Sequence, residues 1–367
     1  MLPLSNVTQD YRITGGFCVT IFRVPGVPPV TLRPSSLRKH PDPLARAVAA
    51  LLRRFRSQRP LRGGSLLVTL FGDAIAPRGA AVTLGSLIEL ARPFGLAERL
   101  VRTAVGRLAA EGWLAARRHG RRSEYRLTES GQKLFAEATR RIYGVNPSSW
   151  DGRWTVAVLP PSGVRLPRAA ARRNIRQELR WLGFGQLSPG VYAHPACTLE
   201  EARGWFSTLG CVSDCWLFRS ATAGLAEDRR LAAEGWDLEQ IARRYRRFRD
   251  TFGPVAAAVR ESGALAPRPA FLVRTLLIHE YRKIHLKDPL LPPALLPAHW
   301  VGTEAYVLTR ALYAAVFAAA EQFLAETGRT IHGALPRSSA GASRRFAPAT
   351  RYSAPSSAHS RRQARRR

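Results

Sequence analysis

The sequence predicts an α+β chain of several domains: a winged helix-turn-helix unit, a ferredoxin-like middle domain and a helical carboxy-terminal domain. Three observations predict it. Residues 60–144 carry helix-period apolar positions interrupted by one tight basic hairpin. Residues 150–220 read β-α-β-β-α-β, and residues 224–328 keep helical periodicity throughout. At 367 residues the chain has room for two or three domains and a sizeable core.

In chain order, residues 1–40, rich in Pro and Val, read as a flexible extension or an over-extended start. They lack the basic run and unbroken apolar core of a signal peptide. A helix over 43–57 places Leu44, Val48, Leu51, Leu52 and Phe55 on one side, and is expected to dock onto the winged unit. That unit is expected over 41–146. "GGSLLVTLFGDAI" (63–75) suits a buried first helix through Leu66, Leu67, Leu70 and Phe71. "LGSLIELARPFG" (84–95) follows the Pro77-Arg78-Gly79 turn, with Leu87, Leu90 and Ala91 inward and Pro93 and Gly95 ending it.

The next stretch, "LAERLVRTAVGRLAAEGWLAARRHGRRSEYRLT" (96–128), carries the functional signal. Val101, Val105 and Leu108 share one helix face, whereas Arg99, Arg102, Thr103 and Gly106 lie opposite with Arg107 at the edge. Gly112 ends the helix. "WLAARR" is a strand, "HGRR" a tight turn and "SEYRLT" the returning strand, with Tyr125 and Leu127 on one face. "ESGQKLFAEATRRIY" closes the unit as a helix. Between Pro60 and Gly144 there are 14 Lys plus Arg against 7 Asp plus Glu; positions 99–107 and 117–122 hold seven arginines and no acid. Neutralising phosphates requires such asymmetry. Arg102 and Thr103 are therefore expected to reach base edges in the major groove, Arg99 and Arg107 either bases or phosphates, and Arg118, His119, Arg121 and Arg122 the phosphate backbone.

The formal net charge is +31, and 53 of the 57 basic residues are arginine, which fits a GC-rich coding bias as well as nucleic-acid binding. Distribution decides more than the total. Residues 331–367 hold nine arginines and no acid among Ser, Ala and Pro, so a disordered tail is expected there, either adding non-specific DNA affinity or simply solubilising. No apolar run reaches 18 residues, so no transmembrane span is expected.

From Trp150 the texture changes. "RWTVAVLP", "RAAARRNIRQELRWLGFG", "GQLSPGVYAHP", "TLEEARGWFSTLG" and "CVSDCWLFRS" give the βαββαβ order of a split βαβ sandwich over 147–223. Beyond it, 224–330 is helical: "LEQIARRYRRFRDTF", "PAFLVRTLLIHEYRKIHL" and "TEAYVLTRALYAAVFAAAEQFLAE". The middle helix is apolar nearly all round from Phe271 to Ile278 and should be buried.

Enzymatic and metal chemistry find little support. His194, Cys197, Cys211 and Cys215 imitate a zinc spacing, but on one strand Cys211 and Cys215 would stand about 13 Å apart. Four scattered cysteines, Cys18 among them, suit a reducing cytoplasm and structural thiols. His279-Glu280 lacks the second histidine of a zinc-protease helix, because position 283 is Lys283 and His285 lies about 240° round. No phosphate-cradling GxxxxGK[ST], nucleophile GxSxG or convincing GxGxxG occurs.

"SLLVTLFGDAIAPRGAAVTLGSL", "ERLVRTAVGRLAAEGWL", "RRHGRRSEYRLTESG", "RRIYG", "WDGRWTVAVLP" and "LLIHEYRKIHLKDPLLPPALLPAHWVG" resemble the PaaX family, repressors of phenylacetic acid degradation operons, over roughly residues 45–328. The resemblance implies a Cas2-like middle domain. It further implies a cytoplasmic homodimer on double-stranded operator DNA, released by an acyl-CoA effector such as phenylacetyl-CoA, with no cofactor and no metal. A Cas2-like nuclease would need a carboxylate at the end of the first middle strand, where Pro160 and Pro161 stand, so a dimerisation scaffold is the expected role. For an anionic acyl-CoA the expected residues are His279, Tyr281, Arg282 and Lys283, where cations and an aromatic ring meet a buried helix. The readings left open beside it are a related regulator with a different ligand and a nucleic-acid-processing enzyme.

Overall fold

The structure is a computed structural model that describes residues 8–14, 17–23, 42–58, 63–144, 149–159, 169–263 and 265–346. Pro160 and Pro161 lie outside them, as does the tail beyond residue 346. Two units separate, Met1–Pro43 and Leu44–Arg367. In the first, β1 (Thr8–Thr14) and β2 (Phe17–Arg23) form an antiparallel hairpin, where the sequence suggested only an extension.

All of α1 (Pro43–Arg56) but its first residue belongs to the second unit; the helix buries Leu44, Val48, Leu51 and Phe55 and leaves Leu52 half-buried. Next comes α2 (Gly63–Thr69), which widens into a π-helical turn over Leu70–Ile75. β3 (Ala81–Thr83) leads into α3 (Leu84–Ala91), capped where the Thr83 hydroxyl accepts the Ser86 N–H. Then follow α4 (Glu98–Ala110), β4 (Leu114–His119), β5 (Arg122–Leu127) and α5 (Glu129–Tyr143). Sequence reading gave the β4–β5 hairpin but not β3, which pairs with the other side of β5 to make a three-stranded sheet of order β3-β5-β4. Three residues are too few to show an alternating pattern.

The middle segment holds β6 (Trp154–Val158), α6 (Ala169–Trp181), β7 (Gly185–Ser188), β8 (Val191–His194), α7 (Leu199–Thr208) and β9 (Trp216–Ser220). Its antiparallel sheet has the order β7-β8-β6-β9. Cys211 and Cys215 flank a 3-10 turn over Val212–Asp214 instead of sharing a strand, which corrects the premise of the 13 Å separation. Among the described residues no His, Cys, Asp and Glu group could hold a metal ion. His194 is engaged otherwise: its Nδ1 accepts the N–H groups of Ala196 at 3.0 Å and Cys197 at 2.9 Å. Burial pushes its ring down to about 4 and the Cys197 and Cys215 thiols up to about 11, so all three stay uncharged at neutral pH.

The rest is helical: α8 (Leu225–Gly235), α9 (Leu238–Ser262), α10 (Pro267–His285) and α11 (Val301–Thr327). All of Phe271–Ile278 is buried, Arg274 and Thr275 included. By length and composition alone α11 could cross a membrane, which the run-length criterion had missed; it packs along one stripe against α10 and carries Glu304, Arg310, Glu321 and Glu326. One continuous apolar cluster joins α1–α5 to α9–α11, because α10 packs against α2 and α5 as well as α9 and α11.

The expected disordered tail is corrected over 331–346. β10 (Arg329–Thr330) and β11 (Gly333–Ala334) form a short hairpin, and α12 (Ala340–Ser343) follows. Leu335, Ala342 and Phe346 are buried. Phe346 packs edge-on against Tyr143, Tyr281, Tyr306 and Tyr313. Composition showed the arginines and serines but not that one phenylalanine and one arginine reach a buried site.

Candidate functional site

The amphipathic pattern of α4 sets its orientation. Val101, Ala104, Val105 and Leu108 face the core, so Arg99, Arg102, Thr103, Gly106 and Arg107 face solvent. Thr103 returns its hydroxyl to the Arg99 carbonyl at 2.9 Å. Arg102 donates from Nε to Glu98 at 2.8 Å, and Arg107 stands 3.5 Å from Glu111. Exposed pairs of this kind contribute only about 0.3–0.5 kcal/mol, so a phosphate or base edge can displace them.

Beside α4 stands the β4–β5 hairpin. Its two-residue turn puts Gly120 at φ 58, a left-handed conformation that glycine adopts without strain. Arg118, Arg121 and Arg122 are exposed. His119 is half-buried and its Nε2 is closed off from solvent with no hydrogen-bond partner, so it is not presented as the arginines are. Arg102, Arg121 and Arg122 line one concavity with Arg329 of the β10–β11 hairpin. That hairpin is tied down by Glu124, a buried acid of β5, which accepts the Ile331 N–H at 3.3 Å. Alternation had placed Tyr125 and Leu127 on one covered face; Leu127 is buried, Tyr125 half-buried, and Glu124 is buried through its long-range partner.

A second site lies among α1, α9 and α10. A cleft of about 780 Å³ is lined by Arg54, Arg244, Arg247, Arg282, Lys283 and Lys287, with one acid, Glu280. Glu280 is already engaged by Lys283 Nζ, 3.0 Å from each carboxylate oxygen. Phe55, Phe248, Phe252 and Trp181 contribute apolar walls. Of the four residues expected to hold a ligand, the structure brings only Arg282 and Lys283 to this cleft. Tyr281 lines a separate cavity of about 890 Å³ with Tyr245, His285 and Trp300. His279 is buried in the core, its Nδ1 3.1 Å from the Thr69 hydroxyl and its ring edge-on to Phe55.

The Arg282 guanidinium turns towards α2. Nε donates to Thr69 Oγ1 at 2.8 Å, and Nη2 donates to the Ser65 carbonyl at 2.6 Å and the Ser65 hydroxyl at 2.8 Å. These acceptors are neutral. Burial brings the guanidinium down to about 10, still charged at neutral pH. The residues that sequence reading missed are Arg54, Arg244 and Arg247. Arg244, Arg247 and Phe248 share one α-helical face in "RRYRRFRD", a signal visible only once that face has a neighbour.

Residues 62–131 match the family model described as PaaX-like protein, residues 147–232 that of the PaaX protein central Cas2-like domain, and residues 236–326 that of the PaaX-like protein C-terminal domain. The Transcriptional repressor PaaX of Escherichia coli (strain K12) is 37% identical over 281 residues, covering 76% of this chain and 87% of that protein. This chain belongs to the PaaX family. The PaaX matches thus span the α4 surface and, of the cleft helices, α9 and α10, and the named PaaX relative is a repressor and not an enzyme. A looser structural likeness, to an uncharacterized protein of Mycobacterium tuberculosis, has TM-score 0.45 and 22% identity over 69% of this chain and 96% of that one.

Proposed function

We propose that this chain is a cytoplasmic transcriptional repressor of a phenylacetate catabolic operon, which grips double-stranded operator DNA as a homodimer and is released by an acyl-CoA such as phenylacetyl-CoA. The observation that carries the reading is the exposed arginine face of α4 beside the Arg118–Arg122 hairpin, in a chain of the PaaX family. Helix order α2-α3-α4 followed by a β-hairpin is the layout of a winged helix-turn-helix over 41–146. In this reading α4 enters the major groove through Arg99, Arg102, Thr103 and Arg107, and the hairpin follows the phosphates through Arg118, Arg121 and Arg122, with His119 packed behind them. The β7-β8-β6-β9 order supports a ferredoxin-like middle domain over 147–223. The helical segment 224–330 carries the ligand cleft, with Arg282 and Lys283 as anion contacts and His279 and Tyr281 as the packing behind them.

Retardation of a duplex carrying the promoter of a phenylacetate catabolic operon, against a scrambled duplex of equal length, tests this reading. Specific affinity at physiological salt is expected to exceed non-specific affinity by at least about 10³-fold. Equal affinity for both duplexes would sink the repressor reading.

A further inference from the structure

The cleft and the α4 surface are joined by a short chain of contacts. Arg282 lines the cleft and holds Ser65 and Thr69 of α2. On α2, Gly63 and Gly64 let the helix approach α4 closely. A Cβ at Gly63 would overlap the Leu100 side chain, and one at Gly64 would stand 2.8 Å from Nη2 of Arg107. The two helices also bury Leu66 and Leu67 of α2 with Val101 and Ala104 of α4 in one close-packed core, so a displacement of α2 is transmitted to α4.

The cleft itself specifies a ligand class. Arg54, Arg244, Arg247 and Lys287 pair with no carboxylate among the described residues. The cations come from three helices, so a single carboxylate could reach only a few of them. A ligand carrying several phosphates, with an apolar group for the aromatic walls, satisfies both features.

We propose that Arg282 is the exchange point between this cleft and the DNA-facing helix. With the cleft empty its guanidinium holds α2, and a polyphosphate-bearing ligand draws it away from Ser65 and Thr69 and so frees α2 and α4 together. The proposal rests on the effector reading above and adds its route. Arg282 suits such an exchange because it is half-buried and its hydrogen-bond partners are neutral oxygens, which an anion outcompetes. The ligand favours the released arrangement only through this difference, since equal affinity for both arrangements would shift nothing.

Calorimetric titration of the free full-length protein with phenylacetyl-CoA, repeated on two variants, tests the exchange. Ser65→Ala removes one tie to α2, so Arg282 leaves more easily. Its ligand affinity is expected to rise about three- to tenfold while operator affinity without ligand falls, because the released arrangement gains population at the expense of the DNA-competent one. Arg282→Ala removes the anion contact, and its ligand affinity is expected to fall about tenfold or more. The opposite signs are the signature. If Arg282 were only a tie between helices, both variants would weaken operator binding and neither would change ligand affinity, and that result overturns the proposal. Should Arg282→Ala fail to fold by thermal melt, Ser65→Ala alone decides: unchanged or weaker ligand binding overturns the exchange. An unmutated protein that binds no phenylacetyl-CoA overturns the effector reading itself, and the exchange with it. That result is distinct from equal binding by all three proteins.

Discussion

Two groups of arginines in this chain do different work with the same side chain. On α4 and the β4–β5 hairpin, Arg99, Arg102, Arg107, Arg118, Arg121 and Arg122 are exposed, and among the described residues Arg102 and Arg107 pair only with Glu98 and Glu111, one turn away along α4 itself. Around Asp73, in the π-helical turn, the arginines are buried and paired over long distances in sequence. Arg274 Nε and Arg345 Nη1 each reach a different Asp73 carboxylate oxygen at 2.7 Å. The hydroxyls of Tyr143 and Tyr313 donate to the same group, and Glu321 takes Arg78 and the far side of Arg274. Burial opposes the ionised Asp73 carboxyl, but Arg274 and Arg345 outweigh it and hold it below the usual carboxylate range. The difference teaches that exposure leaves an arginine free to take a new anionic partner, such as the DNA proposed above. Burial instead turns it into the joint between α5, α10, α11 and the segment around Arg345.

The largest expected effect breaks the buried group. Asp73→Ala leaves Arg274 and Arg345 buried without their shared anion, and unfolding in urea should show a loss of about 3–5 kcal/mol. Because the folded-state carboxyl is depressed, its contribution is fully present above the unfolded value of about 3.9 and is lost as pH falls through the lower folded value. Stability of the unmutated protein should therefore fall below pH about 4 more steeply than that of Asp73→Ala. Parallel pH curves would show that Asp73 is not the ionised centre.

An intermediate effect sharpens the exposed side. Arg102→Ala should cost about 1–3 kcal/mol on the specific duplex and much less on a random one, because giving up Glu98 costs the free protein little. Equal losses on both duplexes would make Arg102 a phosphate contact only. Replacing Arg121 and Arg122 together should weaken all duplexes alike and lower the log-log salt slope by roughly one to two units. An unchanged slope would mean that the hairpin points away from DNA. The smallest effect belongs to Arg140 on α5, paired with Glu137 on an exposed helix face. Arg140→Ala should change folding stability by less than about 0.5 kcal/mol, and a larger loss would blur the contrast between the two groups.

How much was legible in the sequence follows the same division. Local periodicity gave α4, its inward Val101, Val105 and Leu108, and the basic turn, because one helix face and one hairpin are written within about 30 residues. The βαββαβ order of the middle segment was equally local. Pairing over long separations was not. Nothing near Glu124 signals that it anchors Ile331, and nothing near Arg345 signals Asp73, 272 residues away. The cleft fell between: Arg282 and Lys283 were visible as cations beside a buried helix, whereas Arg54, Arg244 and Arg247 join them only when α1 and α9 pack against α10.

The central claim is that operator binding through the exposed arginines is controlled from the cleft. The most direct measurement is the operator affinity of the unmutated full-length protein across a phenylacetyl-CoA titration at fixed salt. The account predicts that apparent affinity falls with effector to a plateau, about 5–150-fold weaker for a coupling of about 1–3 kcal/mol. An operator affinity that stays constant up to millimolar phenylacetyl-CoA would contradict it.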